Sequence, residues 1–219
     1  MIELKSAIKV YRTRDVATNA LNGVDLCIER GEFVAVMGPS GCGKSTLLSI
    51  IGMLDTLTDG SYRFDKTDVS TASEGAMAGY RRGNIGYIFQ NFNLLNAKSV
   101  LQNVMLPLRF SKLKRDEKEK AAMRALDSVE LAHRAGHKPP QLSGGQQQRV
   151  AIARAMVMGP KLLLADEPTG NLDSGLSAKI MGILKVINAA GTTVLMVSHS
   201  QEDVASASRI LNMRDGRVQ

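Results

Sequence analysis

The chain is 219 residues long, 44% apolar and 22% charged, with a formal net charge of +7. That length suits one sizeable core with a subordinate lobe, and two cysteines are too few for a disulfide framework, which fits a reducing compartment. No apolar run approaches the roughly 18 residues that a membrane-spanning helix needs, and the lack of Trp with only 4% aromatics counts against a base-stacking nucleic-acid platform.

Glu3, Lys5 and Lys9 interrupt any apolar leader, so the N-terminus does not read as a signal peptide and a cytoplasmic location is expected. Alternation predicts strands over Ile2 to Val10, Val24 to Ile28 and Phe33 to Met37, with turns at Asn22-Gly23 and Arg30-Gly31. The last of these strands is apolar throughout, as expected where a parallel sheet is covered on both faces. A glycine-rich turn leads into an apolar helix, Thr46 to Met53. Further strands are predicted over Ile85 to Phe89, Lys161 to Ala165, Thr193 to Val197 and Arg209 to Met213. Between Asn91 and Met158 only helical patterns occur. Among them are Asp116 to Val129, whose mixed Lys, Arg and Glu read as a solvated face, and Ser143 to Met158, opening on the capping-box spacing Ser143 to Gln146.

Gly38-Pro39-Ser40-Gly41-Cys42-Gly43-Lys44-Ser45 fits the phosphate-binding loop, with Thr46 after it. Glycines let successive amides converge on an anion, and the helix that follows turns its positive end toward it. Lys44 supplies a point charge for β- and γ-phosphates, and the Ser45 hydroxyl is placed to ligate Mg²⁺. Cys42 sits beside a helix N-terminus, so thiol alkylation that blocks nucleotide binding is a further expectation.

The run Leu162 to Ala165 ends in Asp166-Glu167. Strand alternation sends these carboxylates to opposite sides unless the chain turns there. Asp166 is then suited to reach Mg²⁺ through water, and Glu167 to polarise an attacking water. His199 follows one strand and Gln90 another, both at the carboxyl edge where α/β sheets bind ligands.

Leu142-Ser143-Gly144-Gly145-Gln146 gives the chain its resemblance to the ATP-binding-cassette ATPases, matched in order over essentially its whole length. The resemblance implies an α/β fold: a P-loop NTPase (RecA-like) core from 1–90 and 159–219, an N-terminal antiparallel β subdomain, and an inserted helical subdomain at 91–158. It implies Walker A at Gly38 to Thr46, a Q-loop at Gln90 that also ligates Mg²⁺, Walker B at Leu162 to Asp166 and a catalytic Glu167. Asn171-Leu172-Asp173 resembles the D-loop, His199 the switch histidine and Tyr11 the adenine-stacking aromatic. It further implies a head-to-tail homodimer, in which Ser143, Gly144, Gly145 and Gln146 of one copy close on the ATP held by the other.

Ala165 to Asp173 and Phe89 to Leu95 look like the ATPases of lipoprotein-releasing complexes, macrolide and peptide exporters and cell-division regulators. That likeness implies a separate membrane permease with an extracytoplasmic domain, reached through the segment Gln90 to Leu101, where Phe92, Leu94 and Leu95 are candidate apolar anchors. Ser200 departs from the Asp that commonly follows the switch histidine. A cell-division signalling ATPase is the alternative. A nucleic-acid or ribosome-associated cassette is disfavoured, because sustained heptads, metal-type Cys spacing and a second cassette are all missing from the sequence.

Overall fold

The computed structural model describes residues 1–13 and 17–219. Two sheets share the chain. Strands β1 (Ile2–Arg12) and β2 (Ala17–Ile28) form a long antiparallel ladder from Ile2 opposite Ile28 to Arg12 opposite Ala17. The Asn22-Gly23 pair therefore lies inside β2 and is not a turn. Ala7 pairs with Val24 and Ile8 with Asn22, leaving Gly23, at φ 73°, as a bulge. Arg30-Gly31 does turn the chain, into β3 (Phe33–Met37).

Helix α1 (Lys44–Ile51) follows, then a hairpin that the sequence pattern does not announce, β4 (Asp59–Phe64) and β5 (Thr67–Asp68). β4 pairs with β1, completing a four-stranded antiparallel sheet in the order β2-β1-β4-β5. Helix α2 (Glu74–Arg81) leads to β6 (Ile85–Ile88). The stretch up to β7 carries α3 (Val100–Val104), α4 (Arg115–Asp127) and α5 (Gly144–Met156) with short 3-10 turns and no strand among the described residues. Then come β7 (Leu162–Asp166), α6 (Ser174–Ala189), β8 (Thr193–Val197), α7 (Gln201–Val204), β9 (Arg209–Arg214) and the short β10 (Arg217–Val218).

The second sheet runs β10-β9-β3-β8-β7-β6, parallel except for β10. Its central strands are apolar apart from Thr193 and Asp166 at their ends, because both faces are covered. Val34, Val36, Leu162, Leu164, Leu195 and Val197 face a core shared with α1 and the antiparallel sheet. The intervening Phe33, Ala35, Leu163, Ala165, Val194 and Met196 face a second core built with α3, α4, α5 and α6. At about 1.5–3 kcal/mol per fully buried large apolar side chain, this two-sided burial is the main force that holds the sheet. Parallel register brings the ends of β3, β6, β7 and β8 to one edge, and every catalytic candidate follows one of those ends.

Candidate functional site

The turn after β3 is held by close backbone packing. Gly43 has φ 105°, and a Cβ there would stand 2.2 Å from the Ala20 carbonyl oxygen. At Gly38 a Cβ would come within 2.1 Å of the Met213 carbonyl oxygen. Glycine is required at both places by contact, not by habit. Lys44, itself buried, donates from Nζ to the carbonyls of Gly38 at 2.9 Å and Pro39 at 2.8 Å, so its charge is folded back across the loop. Ser40 and Gly41 lie on the exposed outer rim. Cys42 is buried with its sulfur 3.8 Å from Lys44 Nζ, so a thiol reagent reaches it only if the loop opens.

Beyond the loop, Ser45 stands near Asp166 at the end of β7 and favours its ionised form. Burial first, and then the neighbouring Glu167 charge, raise the Asp166 carboxyl above its ordinary value, against the pull of Ser45 and Lys44. A hydroxyl and a carboxylate sharing a half-buried site beside a phosphate cradle are the hard oxygen donors Mg²⁺ takes. The residues present therefore fit that ion.

Glu167 resolves the alternation problem. Its φ is 45°, a left-handed conformation costing about 1–3 kcal/mol for a residue of this kind. Its amide nevertheless continues the ladder to the Val197 carbonyl at 2.9 Å. The kink lets both carboxylates serve the same edge. The Glu167 side chain is then gripped from two sides: Gln90 Nε2 donates to Oε2 at 2.8 Å, and His199 Nε2 lies 2.9 Å from Oε1. Gln90 is held in turn by Asn171, whose Nδ2 donates to its carbonyl at 3.2 Å.

Ser143 is the N-cap of α5, accepting from the Gln146 amide at 3.3 Å while Gln146 Oε1 accepts from the Ser143 amide at 3.0 Å, the reciprocal box its spacing predicts. Gly145 is packed so closely that a Cβ would meet Leu176 at 3.0 Å, and Gly144 faces Leu172. Asp173 caps α6 by accepting from the Leu176 amide at 2.9 Å. The Ser143–Gln146 and Asn171–Asp173 segments thus form one packed unit. Tyr11 lies on β1, half-exposed, with its hydroxyl donating to Asp55 at 2.8 Å. Of the apolar anchors, Leu95 is exposed, whereas Phe92 and Leu94 are partly covered.

Sequence reasoning misses a buried cluster behind His199. Asp203 accepts from the Thr169 hydroxyl and from Ser198 Oγ at 3.2 Å, and Ser200 caps α7 through the Asp203 amide. The Ser200-x-x-Asp203 spacing is the one local signal of it.

Fold and site together define a P-loop NTPase of the cassette type. A family model described as ABC transporter matches residues 21–170. The uncharacterized ABC transporter ATP-binding protein MJ1508 of Methanocaldococcus jannaschii is 48% identical over 218 residues, spanning all of this chain and 97% of its own. The macrolide export ATP-binding/permease protein MacB of Nitrobacter winogradskyi is 46% identical over 218 residues, and this chain spans 34% of it. A dimeric post-hydrolysis structure of the ATP-binding cassette MJ0796, bound to ADP and Pi, superposes with a TM-score of 0.93 at 44% identity, covering 100% of this chain and 97% of that one. The chain belongs to the ABC transporter ATP-binding proteins, and it is an ATPase.

Proposed function

We propose that this ATPase drives a membrane export or mechanotransmission complex of the lipoprotein, macrolide or peptide type, as a face-to-face pair of copies. In this reading a permease with an extracytoplasmic domain, carried on a separate chain, receives the motion, and the ATPase sits on the cytoplasmic membrane face. Stand-alone relatives of nearly this length favour a separate permease. The likeness to MacB favours the export class.

The observation that carries the paired reading is the exposed Ser143 at the head of α5. With one complete phosphate loop already present, a second amide-rich helix start makes chemical sense as a grip on the partner copy's γ-phosphate. The MJ0796 cassette, similar to this chain, is dimeric with ADP and Pi bound, which favours a pair of copies.

In hydrolysis, Lys44 and the loop amides hold the phosphates of ATP. Ser45 and Asp166 would hold Mg²⁺, with Gln90 beside them, and the ion supplies charge neutralisation at the phosphate oxygens. Glu167, oriented by Gln90 and His199, accepts a proton from the attacking water. Asp173 lies next to the signature helix, where a partner copy would meet it. Loss of γ-phosphate then removes the shared ligand and lets the pair open.

Mixed dimers test this. Lys44→Ala and Ser143→Ala copies are each expected to be nearly inactive alone, yet to regain one working site when combined. If equimolar mixtures never exceed the activity of the separate variants, the shared site is wrong.

A further inference from the structure

We propose that Asp55 is a positioning residue for the nucleotide base: it clamps the Tyr11 hydroxyl so that the ring stands as a one-faced stacking platform beside the phosphate loop. The inference rests on the reading of Tyr11 as the base-stacking residue and extends it to a residue with no part in the motifs.

Asp55 lies in the loop after α1, where its amide returns to the Ser49 carbonyl. Its two oxygens are divided between two side chains, with the Thr56 amide also donating to Oδ1 at 2.7 Å. Oδ2 accepts from Tyr11 at 2.8 Å, and Oδ1 accepts from Lys9 Nζ at 2.6 Å. Lys9 is buried and also donates to the Thr56 carbonyl at 2.8 Å, so its ammonium is immobile. That ammonium stands over the Tyr11 ring, 4.9 Å from its centroid. One ring face is therefore taken by a cation, which leaves the opposite face as the one a base can stack on.

The hydroxyl end is tied as well, by Asp55. A half-exposed Tyr at a hairpin end would otherwise sample several rotamers and lose that freedom on binding. Here the ring is ordered in advance by groups joined to the helix that follows the phosphate loop. Supporting this, burial and then the hydrogen bond to Asp55 raise the Tyr11 phenol above its ordinary value, which keeps the donating O–H in place. Burial alone would also raise Asp55, but the Lys9, Tyr11 and Thr56 hydrogen bonds outweigh it and hold the carboxylate ionised.

The test compares ATP with inorganic tripolyphosphate, which lacks the base, by equilibrium titration of the purified full chain. Tyr11→Phe, which keeps the ring and the Lys9–Asp55 pair, and Asp55→Ala are each expected to weaken ATP binding about three- to tenfold. Tripolyphosphate binding stays unchanged, and kcat at saturating ATP moves less than KM. Asp55→Asn, which still offers an acceptor, recovers much of the loss. The double variant Tyr11→Phe with Asp55→Ala is no worse than either single change. Should Tyr11→Phe and Asp55→Ala bind ATP as the native chain does while Tyr11→Ala binds it weakly, the clamp is refuted and base stacking stands. If Tyr11→Ala also binds ATP normally, stacking itself fails and the clamp with it. Equal weakening toward tripolyphosphate would mean general damage and would overturn the proposal too. Where Asp55→Ala does not fold, Tyr11→Phe decides alone.

Discussion

The Glu167 carboxylate and the His199 imidazole face each other at 2.9 Å across the ends of two adjacent strands, with Gln90 on the carboxylate's other oxygen. These two contacts hold the proposed proton acceptor in one orientation. Replacing Glu167 by Gln keeps the shape but removes the basic oxygen. Phosphate release is expected to fall about 10²–10⁴-fold, while ATP affinity stays near native and an ATP-bound dimer accumulates on gel filtration. Brisk turnover by this variant would remove Glu167 from its role.

Asp166 gives a pH-dependent signature. Its carboxyl is raised by burial and by the Glu167 charge. For an acid, a raised folded pKa means that the native chain holds the proton more tightly than the unfolded one. Stability is therefore undiminished below the unfolded value, falls as pH climbs toward the folded value, and stays reduced above it. Asp166→Asn removes the penalty. Without nucleotide, the variant is expected to melt above the native chain at pH 7, with the gap narrowing toward pH 4, even though hydrolysis is lost. A gap that widened in acid would reverse the assigned sign.

The phosphate loop separates two kinds of glycine requirement. Gly41 has φ 78° with nothing within 4 Å of the place a Cβ would occupy, so Gly41→Ala carries backbone strain alone, about 1–3 kcal/mol. Gly43 adds a collision with the Ala20 carbonyl at 2.2 Å and with the Met213 side chain at 2.8 Å. Urea unfolding should rank Gly43→Ala well below Gly41→Ala in stability, and ATP titration should find binding lost in the former. Equal behaviour would mean that β2 yields readily at this point.

Much of this is legible in the sequence, for reasons that particular residues make plain. The strands β3, β7 and β8 are apolar on both faces, and the loop, acid pair and capping box are contiguous, so local spacing carries them. Asn22-Gly23 misleads because the same dipeptide serves a hairpin turn and a bulge, and only the partner strand decides between them. The hairpin β4–β5 is hidden because only Tyr62 and Phe64 of its six-residue first strand are buried. The Tyr11–Asp55 pair spans 44 positions and the Thr169–Asp203 pair 34, and no local pattern encodes such pairings. The chemistry of the acid pair demands a turn at Glu167, and the positive φ of that residue supplies it.

A groove of about 540 Å³ opens between β6 and the 3-10 turn at Pro107–Phe110. Tyr87, Pro107, Phe110 and Met158 give it apolar walls, while Arg81, Arg82 and Arg154 line it with positive charge and no acidic side chain joins them among the described residues. Phe110 is 69% exposed, with the Arg82 guanidinium 5.3 Å from its ring centroid. Arg154 reaches from α5 to the carbonyls of Phe92 and Asn93, in the segment that follows Gln90. In the permease-coupled reading proposed above, the occupant that complements this groove is an amphipathic helix bearing acidic residues. Arg82→Glu is expected to leave the turnover of the isolated ATPase within about twofold, since surface changes away from a site shift stability little. Co-purification with the permease should drop at least about tenfold, the scale of one lost charged contact, and acidic-to-basic changes on the permease helix should restore it. Undiminished association of the Arg82→Glu protein would place the docking surface elsewhere.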